Sequence, residues 1–296
     1  MSRSAEKFNI AGLGELLWDI FPGGKRPGGA PANVAYHARQ LDNNGIVLSR
    51  IGDDAEGAEL IEYLGKYNIE TGYIQVDEDH KTGTVGVTFD DDEPSYTITE
   101  DVAWDYIACS EQWAALAKSV DAVCFGTLAQ RSEPSRKAIQ RFLEFMPNRT
   151  LRVLDVNLRE PYYTAEILEK AISLCNIIKL NKDEHELLGD IFDQEDSTHW
   201  LIKEMDVPLV CLTKGSAGSE LITSGKHYSA DPAEVETSNG DAVGVGDAFT
   251  ASLIHNILRK QPLNRVLEKA NNYAGLIVTK EGGMPELSES SLNPHK

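Results

Sequence analysis

Short runs of apolar and β-branched residues alternate along this 296-residue chain with longer stretches of helical period. Phe8–Gly12, Ile46–Ile51, Ala122–Gly126, Arg152–Asn157, Ile177–Leu180 and Leu209–Thr213 have the length and residue types of buried strands. Between them Pro31–Leu41, Glu56–Lys66, Pro134–Phe145, Ala165–Cys175 and Ser197–Met205 read as helices. In the first of these Val34, Ala35, Ala38 and Leu41 mark one apolar face, and Pro31 suits a first helical turn. Alternation of this kind predicts βαβ units: an α/β protein whose mainly parallel sheet carries helices on both faces. No internal repeat or linker interrupts the pattern, so residues 1–296 are expected to form a single domain.

Two stretches break the rhythm. Glu15–Pro22 follows the first strand with no helix, and Thr84–Phe89 and Ser95–Thr99 read as two strands of a hairpin. The connection, Asp90-Asp91-Asp92-Glu93-Pro94, carries four acids and fits a solvated turn better than a cation site. These pieces predict a small antiparallel β lid in two parts, at approximately 15–30 and 82–101.

Charge narrows the function. Lys and Arg number 28 against 47 Asp and Glu, a formal net charge of −19 that opposes general affinity for nucleic acid or an anionic membrane. No apolar run approaches the ~18 residues of a membrane helix. The opening Met1-Ser2-Arg3-Ser4-Ala5-Glu6-Lys7 lacks the features of a signal peptide. Cys109, Cys124, Cys175 and Cys211 never form C-x-x-C and read as reduced thiols, so a cytoplasmic setting is expected. Gly23-Gly24-Lys25-Arg26 lacks the earlier Gly and the Ser or Thr of a phosphate loop, and Gly12-Leu13-Gly14 lacks the third glycine of a dinucleotide fingerprint. His185 and His199 have no metal-ligand spacing.

Two glycine-rich segments carry the chemistry. Asn239-Gly240-Asp241-Ala242-Val243-Gly244-Val245-Gly246-Asp247-Ala248-Phe249 runs straight into an apolar-periodic helix. Glycines at 244 and 246 let the backbone approach a ligand, and the helix start adds its positive end, which together make an anion hole. Asp247 stands at that start, where a carboxylate is stabilised in its ionised form. A carboxylate beside an anion hole can take a hydroxyl proton while the hole neutralises a transferring phosphoryl group. The plainer reading is a glycine turn with Asp247 as N-cap. In Pro27-Gly28-Gly29-Ala30-Pro31-Ala32-Asn33 a helix again starts after glycines, and Asn33 can bond sugar hydroxyls as donor and acceptor.

With these two segments the chain resembles the ribokinase/PfkB sugar kinases, whose hallmarks are G-G-x-x-A-N and D-T-x-G-A-G-D. Gly28–Asn33 matches the first, and Asp241–Asp247 matches the second with Ala242 for Thr and Val245 for Ala. The resemblance covers nearly the whole chain and implies a three-layer α/β/α sandwich with a β lid. It implies Asp247 as general base, and the amides of Gly244, Val245 and Gly246 as anion hole. Arg159, from Asp155-Val156-Asn157-Leu158-Arg159, would supply a fixed positive charge. Asn181 and Glu184 look like the N-x-x-E motif that organises Mg²⁺ and phosphates, with Glu184 acting through water. Thr213, Gly215 and Gly218 match the turn beside ATP, and Asn271 and Gly275 match positions that line the adenine pocket. Backbone oxygens of Asp241, Val243 and Gly282 match the site of a monovalent cation such as K⁺.

For the sugar, Gly14-Glu15-Leu16-Leu17-Trp18-Asp19-Ile20-Phe21-Pro22 is similar to the G-E-x-x-x-D-x-x-P opening of fructokinases. The resemblance therefore implies fructose, with Asp19, Gly29 and Asn33 holding it and Gln130 approaching it. A structural Asp19, capping the turn before Pro22, is the other reading. 2-Keto-3-deoxygluconate kinase, ribokinase and nucleoside kinase are the alternatives within the family, and a non-catalytic scaffold is the alternative outside it. Many relatives dimerise through the lid, which implies a homodimer here.

Overall fold

The computed structural model describes residues 7–90, 93–235, 240 and 242–287. Asp91 and Asp92 of the hairpin turn, and Asn239 and Asp241 ahead of the second glycine segment, lie outside them. The chain opens with β1 (Asn9–Leu13), makes the hairpin β2 (Leu17–Phe21) and β3 (Gly24–Gly28), and returns through α1 (Ala30–Gln40) to β4 (Asn44–Leu48). β5 (Arg50–Gly52), α2 (Ala55–Lys66) and β6 (Gln75–Asp77) follow, then a second hairpin, β7 (Gly83–Asp90) and β8 (Glu93–Ile98). The succession α3 (Glu111–Ala117), β9 (Ala122–Phe125), α4 (Glu133–Phe145), β10 (Leu151–Asp155), α5 (Ala165–Leu174) and β11 (Ile177–Asn181) comes next. It continues through α6 (Lys182–Phe192), α7 (Ser197–Lys203) and β12 (Leu209–Thr213). A last hairpin, β13 (Ser219–Ile222) and β14 (His227–Ala230), precedes α8 (Val245–Leu258) and α9 (Leu263–Val278).

The central sheet has the order β14-β13-β12-β11-β10-β9-β1-β4. Strands β12 through β4 in that order are all parallel, and β13 and β14 add an antiparallel edge. Strand periodicity divides the core between the two faces. Val123 and Phe125 of β9, with Val210 and Leu212 of β12, pack under Trp113, Phe142, Leu168, Leu188 and Trp200 from α3 to α7. Ala122, Cys124, Leu209 and Cys211, one residue out of phase, pack under Val34, Phe249, Leu253 and Val266 of α1, α8 and α9. This is the expected three-layer arrangement. All four cysteines are free thiols, and Cys124, Cys175 and Cys211 are buried. Among the described residues no helix is long and apolar enough to cross a membrane.

The lid is a separate four-stranded sheet, β3-β2-β7-β8, built from two distant pieces of chain. Its hairpins are antiparallel, and the seam β2–β7 that joins them is parallel. The run Ile46–Ile51, read above as one strand, is divided at Ser49. β4 closes the central sheet, whereas β5 leaves its edge to pair with β6. The Ser49 carbonyl accepts the Gln75 N–H at 2.9 Å at that corner. Apolar periodicity cannot register such a corner, because both halves are equally buried.

Candidate active site

Sheet growth reverses direction between β1 and β9, and a cleft of about 340 Å³ opens at the carboxyl ends of the parallel strands there. Ligands of open α/β sheets settle at this place because loops leaving neighbouring strands diverge. Glu15 follows β1, Asn157 and Arg159 follow β10, Lys179 and Asn181 end β11, and Thr213 ends β12. The lid closes one side with Leu17, Asp19, Val85 and Ile98.

The second glycine segment forms the cleft floor. Gly244 is the N-cap of α8 at φ 76°, a left-handed conformation that a side chain would strain. A Cβ there would also come within 2.5 Å of the Gly283 Cα. Gly246 and Asp247 follow in the first turn and line the cleft with Gly244, so a helix start lies there beside a carboxylate, whereas Val245 is not among the lining residues and its N–H lies 3.5 Å from the Ala242 carbonyl oxygen. Asn33, from the first turn of α1, donates from Nδ2 to Asp247 Oδ2 at 2.7 Å. Its role is therefore to hold the carboxylate, in addition to lining the cleft. The helix start alone would keep Asp247 readily ionised. Burial, reinforced by the negative charge of Asp155, wins instead and lifts its pKa to about 6 against the pull of Asn33, Lys179 and Arg159.

Two residues of the cleft were given no role of their own in the sequence. Lys179 is buried, with Nζ 2.9 and 3.1 Å from the two Asp155 oxygens. Burial opposes its charge, but Asp155 and Glu184 more than offset that and hold the ammonium protonated. Thr250 Oγ1 lies 2.9 Å from Asp155 Oδ2 and 2.9 Å from the Gly246 carbonyl. Glu15, 3% exposed, is the second. Burial raises its pKa to about 7, with Asp247 adding to the rise, and its Oε2 has no hydrogen-bond partner among the described residues. Glu15 stands in the G-E-x-x-x-D-x-x-P spacing, whereas Lys179 carried no spacing signal; the alternation of in and out positions along β11 is the only hint that it faces inward.

Asp19 lies inside β2, opposite Arg26 and beside Val85, so it caps no turn. Its carboxylate occupies the space over Gly28, where a Cβ would come well within contact distance. Gly29, at φ 104°, is the N-cap of α1 and lines the cleft near Asp19 and Asn33. Asn181 and Glu184 form a capping box at the start of α6: Asn181 Oδ1 accepts the Glu184 N–H and Glu184 Oε2 accepts the Asn181 N–H, both at 2.8 Å. Glu184 Oε1 accepts the Leu158 N–H at 3.1 Å, which ties α6 to the loop that bears Arg159. Both residues, with Arg159, Thr213 and Val243, line the cleft.

Other expected residues lie apart from the cleft. Gln130 is buried and donates to the Gly126 carbonyl at 2.8 Å. Gly215 and Gly218 shape the turn after β12, at φ 56° and 82°. Asn271 is spent within the protein, its Nδ2 donating to the Ala230 and Asp231 carbonyls and its Oδ1 accepting from Ser219. Gly275 packs against Ala233 and Val235. Gly282, at φ 77°, lies against the Arg26 side chain of the lid. Asp241 is outside the described residues.

The donors suit a divalent ion that arrives on phosphates rather than one caged by protein. Among the described residues no group of three His, Cys, Asp or Glu is placed to hold a metal, and the Glu184 oxygens already accept amides. Near the residues expected to hold a monovalent cation, Gly240 runs beside the end of α9: a Cβ on it would lie 2.8 Å from the Lys280 carbonyl oxygen. The carbonyls after them are occupied. Gly283 O faces His37 Nε2 at 3.0 Å, and Met284 O and Pro285 O accept Tyr63 and Tyr36 hydroxyls, each at 2.9 Å.

Comparison with known proteins fits this geometry. The sequence model described as pfkB family carbohydrate kinase matches residues 12–289. The chain is 28% identical over 306 residues to the putative sugar kinase PH1459 of Pyrococcus horikoshii, covering 97% of this chain and 95% of that one. It is 28% identical over 313 residues to the probable fructokinase-3 of Arabidopsis thaliana, covering 97% and 90%. The crystal structure of PH1459 in complex with ATP superposes with a TM-score of 0.83 at 28% identity, covering 97% and 98%.

Proposed function

The chain belongs to the pfkB family of carbohydrate kinases, and from that premise we propose that it transfers the γ-phosphoryl group of ATP to a hydroxyl of a neutral sugar, fructose first. The observation that carries this reading is the Asp247 carboxylate, held by Asn33 beside the glycine-bounded start of α8. The sugar hydroxyl loses its proton to Asp247 and its oxygen attacks the γ-phosphorus, while the bond from phosphorus to the departing ADP oxygen breaks. The amides of Gly244, Val245 and Gly246 meet the charge of the transferring group. A pKa of about 6 leaves the carboxylate ionised at neutral pH and close enough to accept a proton. Mg²⁺ bound to the nucleotide would neutralise phosphate charge, and Asn181 and Glu184 would help to hold it, Glu184 through water. Backbone oxygens at 241, 243 and 282 would hold K⁺.

Fructose is favoured by the lid. The lid residues that line the cleft, Leu17, Asp19, Val85 and Ile98, include a hydroxyl acceptor and no base. An acceptor-only carboxylate suits a polyol and repels a sugar phosphate. 2-Keto-3-deoxygluconate would want a cation in the lid beside its carboxylate. Two copies joined through their lids, where Ile20 is 39% exposed, and a cytoplasmic setting complete the reading. ATP-dependent turnover against fructose, 2-keto-3-deoxygluconate, ribose, adenosine and fructose 6-phosphate tests it. Preference for fructose is the expected outcome. Preference for another acceptor would keep the kinase and move the origin of specificity from Asp19, and turnover with none would overturn the reading.

A further inference from the structure

Behind the anion hole, buried residues from three elements meet. Asp155 ends β10, Lys179 stands on β11 and Thr250 lies on α8 one turn after Gly246. The Lys179 and Asp155 side chains are 9% and 4% exposed, with the ammonium 2.9 Å from Oδ1. Thr250 bridges Asp155 to the Gly246 carbonyl, and a Cβ on Gly246 would meet Lys179 Nζ at 3.1 Å. The ion pair is thus braced against the turn that carries Asp247. Taking two charges out of water is costly, and hydrophobic residues could fill the same space. A pair kept here, against the reacting end of α8, points to use rather than to stability.

We infer that Asp155 and Lys179 are positioning residues for Asp247, fixing through Thr250 the place of its helix turn and presenting two opposed charges behind it. The inference rests on the reading of Asp247 as general base. Within the cleft, Asp247 faces Asn33 from α1, Glu15 after β1, the protonated Cys124 thiol of β9, Asp155, Lys179 and Arg159. Of these, Asp155 pushes the Asp247 pKa up, whereas Lys179 pulls it down. Removing one or the other therefore has opposite consequences. Glu15 answers to Asp247 and Arg159 instead.

The test is the acid limb of kcat/KM, which reports ionisation in the free enzyme. With Lys179→Met the limb is expected to move to higher pH, and with Asp155→Asn to lower pH, each by on the order of one pH unit. Lys179→Arg, which keeps the charge, should leave the limb near its original place. The double variant should bring it back between the two. Limbs that stay together, or move in the same direction, in proteins that bind ATP and melt cooperatively would overturn the inference. If the charge variants fail to fold, Thr250→Val decides. It unties Asp155 from α8 without a change of charge, and it should lower kcat several-fold with KM for ATP unchanged. Wild-type kcat in Thr250→Val would count against the pair. Asp247→Asn separates the two levels. If it retains full turnover the base itself is misassigned; if it is inactive while the limbs do not diverge, only the role of the pair falls.

Discussion

Asp247 shows how a residue can be favourable for chemistry and unfavourable for folding. Its folded pKa of about 6 lies above the ordinary 3.8, so the ionised carboxylate is harder to accommodate in the folded protein than in the unfolded chain. The sign follows from proton uptake: between those two values the folded state binds more protons, and stability falls as pH rises through the window. By pH 7 and above the deficit reaches as much as about 3 kcal/mol. Asp247→Asn is therefore expected to melt at a higher temperature than the wild type at pH 8. The advantage should shrink to nothing below about pH 4, where the wild-type carboxyl is also neutral. A variant less stable than wild type at pH 8 would mean that the bond from Asn33 outweighs burial. Asp247 and Asn33 were legible in the sequence because glycines beside them announce close backbone approach, and Asp19 because it fits the G-E-x-x-x-D-x-x-P pattern. The burial of Lys179 and Glu15 was not. Their burial is created by strands and helices distant in the chain, and a charged residue in an apolar run carries no mark of the partner that neutralises it.

At the scale of elements, the start of α8 depends on a loop that follows α9. A Cβ on Gly244 would meet Gly283, a Cβ on Gly283 would meet the Asn33 side chain, and the Gly283, Met284 and Pro285 carbonyls are pinned by His37, Tyr63 and Tyr36. Gly244→Ala would face a left-handed backbone, which costs about 1–2 kcal/mol, as well as the clash with Gly283. Urea unfolding is expected to show at least that loss, and kcat to fall with it. An unchanged unfolding midpoint would mean that the loop moves aside freely. The alternation of strand and helix made most elements readable, since apolar period records which face is covered. The division of Ile46–Ile51 at Ser49, and the antiparallel edge β13–β14, left no such record. A change of sheet or strand direction alters partners without altering burial.

For the molecule as a whole, the lid is tied to both the body and the loop behind the start of α8. Trp18 Nε1 donates to the Glu56 carbonyl at 3.0 Å, Lys25 pairs with Glu59, and Arg26 pairs with Glu281, next to Gly282. A lid anchored at the rim of the cleft can exclude water when sugar is bound. ATP hydrolysis without sugar should therefore run far below phosphoryl transfer with it, by a factor of about 100 or more at saturation, on the scale that general acid–base catalysis supplies. Equal rates, read by coupled ADP release, would remove the lid from the mechanism. The role of Asp247 is read most directly from kcat of Asp247→Asn with fructose and ATP, paired with calorimetric ATP binding. If Asp247 is the base, kcat falls roughly 10²–10⁴-fold with ATP affinity kept; turnover within a few-fold of wild type would mean that it is not.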